Sequence, residues 1–342
     1  MFQGLYTALI TPFNEDGSID MDSISNLVQK QFDAKANGII LFGTSGEGMT
    51  LTSDERREII RHVIDLVNCF ASKSRVLVDG KPFRPHVIVG TGTNCTATTI
   101  EQSLQAEKLG ADGVMVVTPY YNRPSQEGIY RHYKSVNDAI NIPIILYNIP
   151  TRTGVNIDDI TLIRLMRLSN VCSLKDYDSL RPIRLYIDWS DQELRLPEDN
   201  IIKGEDSFIK DAYSSYELFV GACTSKFTIL AGDDVNSLSI YVNGGHGCVS
   251  VASNIIPTIC YELHKAAKES DMQRAKAIHA HLHPIYNALF YEVNPVPVKY
   301  AAYKMGLIKT PVVRQPLYAM SSHNQDKVEK ILVRYGFMSQ YA

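Results

Sequence analysis

The chain reads as an α/β protein, a closed (β/α)8 TIM barrel followed by a C-terminal helical domain. Two features of its 342 residues carry that expectation. Short apolar runs alternate with stretches of helical period, which means βαβ units and a parallel sheet. Most of these runs are continuously apolar rather than alternating, as strands covered on both faces must be. Eight units point to a closed barrel, an architecture that absorbs about 250 residues as a single domain.

The eight runs are LYTALITPF at 5–13, GIILFG at 38–43, HVIVGTG at 86–92 and GVMVVTPY at 113–120, then PIILYNIP at 143–150, VCSLKD at 171–176, FTILAGDD at 227–234 and HGCVSVAS at 246–253. Helical patterns fill 21–36, 53–67, 97–110, 125–140 and 157–168, and Thr52 and Glu55 have capping-box spacing at the start of the second. A doubly wound sheet would need GxGxxG after the first strand; GTGTNC at 90–95 lacks the third glycine. Beyond about residue 270 the strands stop and three helical patterns follow, at 271–290, 295–306 and 323–336. The expected division is therefore a barrel over 1–270 and a helical domain over 271–342.

Composition excludes several function classes. A formal net charge of −3 offers no basic footprint for nucleic acid and no steering toward an anionic membrane. The opening MFQGLYTALITPF lacks the pattern of a signal peptide. No apolar run approaches the roughly 20 residues that span a bilayer. A soluble cytoplasmic protein is the expectation. The six cysteines, at 69, 95, 172, 223, 248 and 260, form no CxxC pair, and buried free thiols fit them better than zinc or redox chemistry. Of His279, His281 and His283, only the first and last share a helical face, with no carboxylate at ligand spacing, so a solvated face fits better than a metal site.

Chemistry in a barrel sits where the strands end. The second strand ends in GTSGE, 43–47, where two glycines flank two hydroxyls and let backbone N–H groups converge on an anion. The fourth ends in VTPYYNRPSQEG, with two adjacent phenols, an amide and a guanidinium at its mouth. The fifth ends in YNIPTRTG, a phenol and a guanidinium five apart, and the sixth carries Lys175 in an otherwise apolar run. An apolar mouth disfavours an ammonium, and the free amine is a nucleophile. Taken alone, GTSGE also reads as a tight glycine turn, and Lys175 reads better as a snorkelling surface lysine.

The ordered set GTSGE, VTPYYNRPSQEG, YNIPTRTG, a sixth-strand lysine, GDD, GGHG and NPVPVKYA resembles the pyruvate-dependent class I lyase (aldolase) family. The resemblance runs from Phe2 to about Leu307, with extra residues near 70–85 and about 30 more within 178–225. It implies that Lys175 forms a Schiff base with pyruvate and that Tyr147 is the general acid/base, in a hydroxyl relay with Thr44 and Tyr121. Thr44 and Ser45 would hold the pyruvate carboxylate through their N–H groups. Arg152 would bind the carboxylate of L-aspartate 4-semialdehyde, and Val249 would offer a backbone carbonyl near the Schiff base. Tyr121 would be lent across a dimer interface that Tyr120 lines, in a homotetramer. The implied reaction joins pyruvate to the semialdehyde in lysine (diaminopimelate) biosynthesis, without metal, nicotinamide or pyridoxal.

Two sister activities, N-acetylneuraminate lyase and keto-deoxy sugar-acid aldolase, would share Lys175, Tyr147 and GTSGE; Arg152 speaks against them. A non-catalytic barrel is the other alternative, and the joint presence of lysine, tyrosines and threonine opposes it. The family usually has glycine two residues before the lysine, where this chain has Ser173, and Asp176-Tyr177-Asp178 lead into the longer insertion. That insertion holds Trp189, Tyr213, Tyr216 and Phe219 and reads as an elaboration of the sixth helix. Feedback by lysine is expected to be weak or absent. Tyr120 and Asn94 match the inhibitor pocket of relatives, but Thr98 replaces its glutamate, Ser53 and Arg56 its two histidines, and Gly48 its small polar residue.

Overall fold

Eight parallel strands close on themselves in the computed structural model, which describes residues 2–74, 77–78, 81–177 and 227–339. They are β1 (Gly4–Ala8), β2 (Gly38–Leu41), β3 (His86–Gly90), β4 (Gly113–Val117), β5 (Ile144–Asn148), β6 (Val171–Asp176), β7 (Thr228–Ala231) and β8 (Gly247–Ser250). Each pairs with its neighbours in sequence, and Gly4 opposite Gly247 closes the ring. The expected (β/α)8 barrel is the observed one.

The strands are shorter than most of the apolar runs that announce them. In the first run pairing stops at Ala8, and Leu9–Phe13 continue as buried loop that packs over the barrel. Only VCSLKD is strand from end to end. Its pairing with β5 passes from Val171 to Ser173, so Cys172 is an extra residue, after which Tyr147 stands opposite Lys175 and Lys175 opposite Leu230.

Helices α1 (Met21–Asp33), α2 (Ser53–Lys73), α3 (Thr96–Lys108), α4 (Gln126–Ala139) and α5 (Asp159–Met166) cover the first five crossovers. The capping box of α2 is formed, with both the Thr52 side chain and the Glu55 carboxylate engaged. This helix runs six residues past its expected end, and a two-stranded antiparallel ribbon, Leu77–Val78 with Lys81–Pro82, occupies part of the extra segment near 70–85. Two helices have no counterpart in the sequence reading, α6 (Ser237–Val242) and α7 (Pro257–Lys268). The first is only six residues long, and neither has a side-chain cap. The longer insertion and its aromatic residues lie outside the described residues.

Beyond the barrel come α8 (Met272–Ala288), α9 (Val296–Lys304) and α10 (Ser322–Arg334). Leu282, Ile285, Val298 and Val328 from these helices bury in the same apolar core as Val251 and Ile255 of the barrel. A second apolar layer, with Tyr6, Ile40, Ile88, Met115, Ile145, Leu230 and Val249, fills the barrel interior. The five described cysteines are free; Cys248 and Cys260 are buried, but Cys95, at the start of α3, is exposed. His281 and His283 are exposed on α8, while His279 is half-buried against the Tyr286 ring. Among the described residues no helix is long and apolar enough to cross a membrane.

Candidate active site

At the C-terminal mouth of the barrel is a cavity of about 320 Å³, lined by Thr44, Tyr120, Tyr147, Arg152 and Asn294 among others. Each arrives there for a local reason. Tyr147 is the inward residue near the end of β5, and Arg152 lies in a single helical turn, Pro150–Thr153, that a proline opens and Gly154 closes at φ +71°.

Thr44 belongs to the tight turn that follows β2. Phe42 and Glu47 bracket it at φ +59° and +48°, left-handed values that non-glycine residues rarely adopt. Gly48 has to be glycine: a Cβ there would stand 2.3 Å from the Phe42 carbonyl oxygen. The N–H groups of Gly46 and Glu47 turn back onto the carbonyls of Gly43 and Thr44. Among the described residues no acceptor meets the N–H groups of Thr44 and Ser45. Two unsatisfied donors in one turn make an anion-binding concavity. The Ser45 hydroxyl is buried and accepts from Asn294 Nδ2 at 3.0 Å.

Lys175 is 5% exposed, and its ammonium stands 4.0 Å from the centroid of the Tyr147 ring. No carboxylate among the described residues forms an ion pair with it. Asp233, just past β7, lies close enough for the Lys175 charge to draw its carboxyl down, although burial is the larger influence and raises it. Ser173, at the position where glycine is usual, exchanges hydrogen bonds with Thr228 of β7 and leaves no buried hydroxyl unmet. Val249 is fully buried in the interior layer that Tyr147 also joins. No described residue pairs with the guanidinium of Arg152.

Tyr147 and Thr44 line the same cavity, but no hydrogen bond joins their hydroxyls within this chain. Tyr121 is not among the residues that line the cavity: it is 89% exposed, at φ +71°. Tyr120 takes the place beside the cavity instead, its hydroxyl 3.5 Å from the Met49 sulfur. Glu47 and Lys299 form a buried ion pair at 2.7 Å that sequence reasoning missed, although both stand in quoted motifs. Burial pushes the Lys299 ammonium down to about 8, with Glu47 opposing the shift.

The sequence model of the "Dihydrodipicolinate synthetase family" matches residues 1–184 and 207–334. A 4-hydroxy-tetrahydrodipicolinate synthase from Bradyrhizobium diazoefficiens is 36% identical over 338 residues, covering 99% of this chain and 98% of its own. The crystal structure of dihydrodipicolinate synthase from Aquifex aeolicus superposes with a TM-score of 0.79 at 34% identity, covering 98% of this chain and 99% of that one. A chloride-inhibited dihydrodipicolinate synthase from Acinetobacter baumannii, complexed with pyruvate, gives 0.81 at 32% identity, covering 99% of this chain and 100% of that one. With the family's model matched over most of its length and the fold shared with solved structures along nearly the whole chain, the chain belongs to the dihydrodipicolinate synthetase family.

Proposed function

We propose that this chain is a lyase of the class I aldolase type that condenses pyruvate with L-aspartate 4-semialdehyde to 4-hydroxy-tetrahydrodipicolinate, in lysine and diaminopimelate biosynthesis. The observation that carries the reading is Lys175, buried near the end of β6 against the ring of Tyr147, which lines the cavity, and within the field of Asp233. The amine adds to the pyruvate ketone and water leaves, which forms an iminium on Lys175. The iminium is an electron sink, so a methyl proton becomes removable and an enamine results. The enamine carbon attacks the aldehyde; the amino group of that substrate then closes the ring onto the iminium carbon and displaces the lysine.

Each step needs a proton carried between oxygen, carbon and nitrogen. Tyr147 takes that role, with Thr44 and a Tyr121 from a second copy as its hydroxyl partners. The N–H groups of Thr44 and Ser45 hold the pyruvate carboxylate, the Val249 carbonyl faces the Schiff base, and Arg152 receives the carboxylate of the semialdehyde. The reaction as written uses no cofactor. The exposed, strained Tyr121 supports a shared site and, with it, a homotetramer built of dimers in the cytoplasm. The barrel over 1–270 and the helices over 271–342 are proposed as its two domains. Incubation with pyruvate and borohydride, followed by peptide mass spectrometry, tests the chemistry; an aldehyde panel tests the second substrate. Turnover of N-acetylmannosamine rather than the semialdehyde would favour a sister lyase.

A further inference from the structure

Asn294, Lys299 and Arg314, from α9 and the segments on either side of it, hold the turn after β2. Asn294 Nδ2 donates to the Ser45 hydroxyl at 3.0 Å. Lys299 Nζ donates to one oxygen of the Glu47 carboxylate at 2.7 Å, and the Arg314 N–H to the other at 2.8 Å. The Glu47 and Lys299 side chains are 1% and 0% exposed. A pair so completely desolvated is weak as a device for stability, because a well-packed apolar pair of like volume often does as well.

Geometry explains it better. The main chain of Glu47 is what bends the turn: its N–H reaches the Thr44 carbonyl at 3.2 Å, and its own carbonyl accepts from the Thr50 N–H at 2.9 Å. A left-handed, non-glycine residue in that position persists only where its surroundings over-determine it. Fixing the carboxylate therefore fixes the direction of the two free N–H groups just before it. The Lys299 charge also neutralises an anion that would otherwise repel a carboxylate held by the same turn.

We infer that the buried Glu47–Lys299 pair aims the Thr44 and Ser45 N–H groups at the pyruvate carboxylate, which makes Glu47 a positioning residue for the first substrate; this rests on the function proposed above. Glu47→Gln keeps the shape of the side chain and an acceptor for the Arg314 N–H, but removes the charge pair. It is measured in the full-length protein beside the neutral double variant Glu47→Gln/Lys299→Met. In Glu47→Gln the KM for pyruvate rises about tenfold or more, while that for the semialdehyde stays within about twofold. The double variant regains the melting temperature and keeps the raised pyruvate KM, because a neutral pair packs without aiming the turn. A wild-type pyruvate KM in Glu47→Gln, or one that recovers together with stability in the double variant, overturns the role. Should Glu47→Gln fail to fold, the double variant decides alone, its pyruvate KM being either raised or normal. Borohydride trapping on the wild type separates the two readings. No adduct at Lys175 overturns the proposed function and this role with it, whereas a normal adduct with unchanged pyruvate KM in the variants overturns the positioning role only.

Discussion

The Lys175 ammonium stands 4.0 Å from the centre of the Tyr147 ring, because the two residues are register partners on adjacent strands. One residue of slippage would turn one of them out of the barrel. The extra residue Cys172 in β6 sets that register.

Tyr147→Phe separates the ring from the hydroxyl. The ring remains under the ammonium, so the fold and the pyruvate adduct persist, while kcat falls about 10²–10⁴-fold with the loss of the proton carrier. A kcat within about threefold of wild type, on the same steady-state assay, refutes the acid/base role. Lys175→Ala loses the adduct altogether. Lys299, buried in its ion pair, does not replace it.

Arg152→Ala leaves the adduct intact, since Arg152 is placed for the second substrate. Losing a charge-assisted contact costs about 1.5–3 kcal/mol, so kcat/KM for the semialdehyde drops roughly ten- to a hundredfold. The pyruvate KM is the control and does not move. Equal losses for both substrates contradict the assignment.

Tyr121 is 89% exposed on a single chain, so a site that uses it is completed by another copy. Subunits carrying Tyr121→Phe and Lys175→Ala are each inactive alone. Mixed after mild dissociation, they recover up to about a quarter of the wild-type sites, because the lysine of one faces the tyrosine of the other. Activity that stays at background after mixing excludes a shared site.

Acid stability has a named contributor. Glu55 closes the α2 capping box and receives a two-pronged contact from Arg314, and that guanidinium holds its carboxyl down at about 2, against an ordinary value of 4.5. The folded value is the lower one, so the contribution is complete above the ordinary value and fades as pH falls from there toward about 2. Glu55→Gln therefore melts about 2–5 °C below wild type at pH 6, with a smaller gap at pH 3 that closes only below about pH 2. A gap of the same size at both pH values refutes the linkage.

Lysine inhibits weakly or not at all. Arg56 is buried beside the cavity, donating to the carbonyls of Gly48 and Gly90 and stacked 4.4 Å from the Phe42 ring. Burial lowers its guanidinium to about 10, which still leaves a cation at neutral pH to repel an incoming ammonium. Thr98 has no charge to offset it. Half-inhibition at sub-millimolar lysine, titrated at saturating pyruvate, defeats this expectation.

Local signals carried the barrel, and distant pairings escaped them. VCSLKD is legible to the residue because a continuous apolar run stops at an acid. Helix α7 is not, because no capping side chain marks its start. The turn after β2 announced itself through its glycines and hydroxyls. Its supports did not, since Asn294, Lys299 and Arg314 lie about 250 to 270 residues away and no spacing rule links them to Ser45 and Glu47. Tyr120 and Tyr121 are adjacent and both aromatic, so sequence could not say which of them faces the cavity. In the structure Tyr120 lines it, while Tyr121, in left-handed backbone like Arg123, is exposed.

Glu47 and Lys299 are 252 positions apart, and β1 cannot close onto β8 until Gly247 has been made. On the ribosome the turn after β2 therefore emerges early and waits for Lys299 through most of translation. Contacts of such long range form late, after the chain between them has collapsed. A nascent chain, or one cut short before α9, keeps the turn's own hydrogen bonds and those from Thr11 and Arg56 but lacks the contacts from Asn294, Lys299 and Arg314. The last supports of the turn after β2 are thus among the last contacts that the growing polypeptide can make.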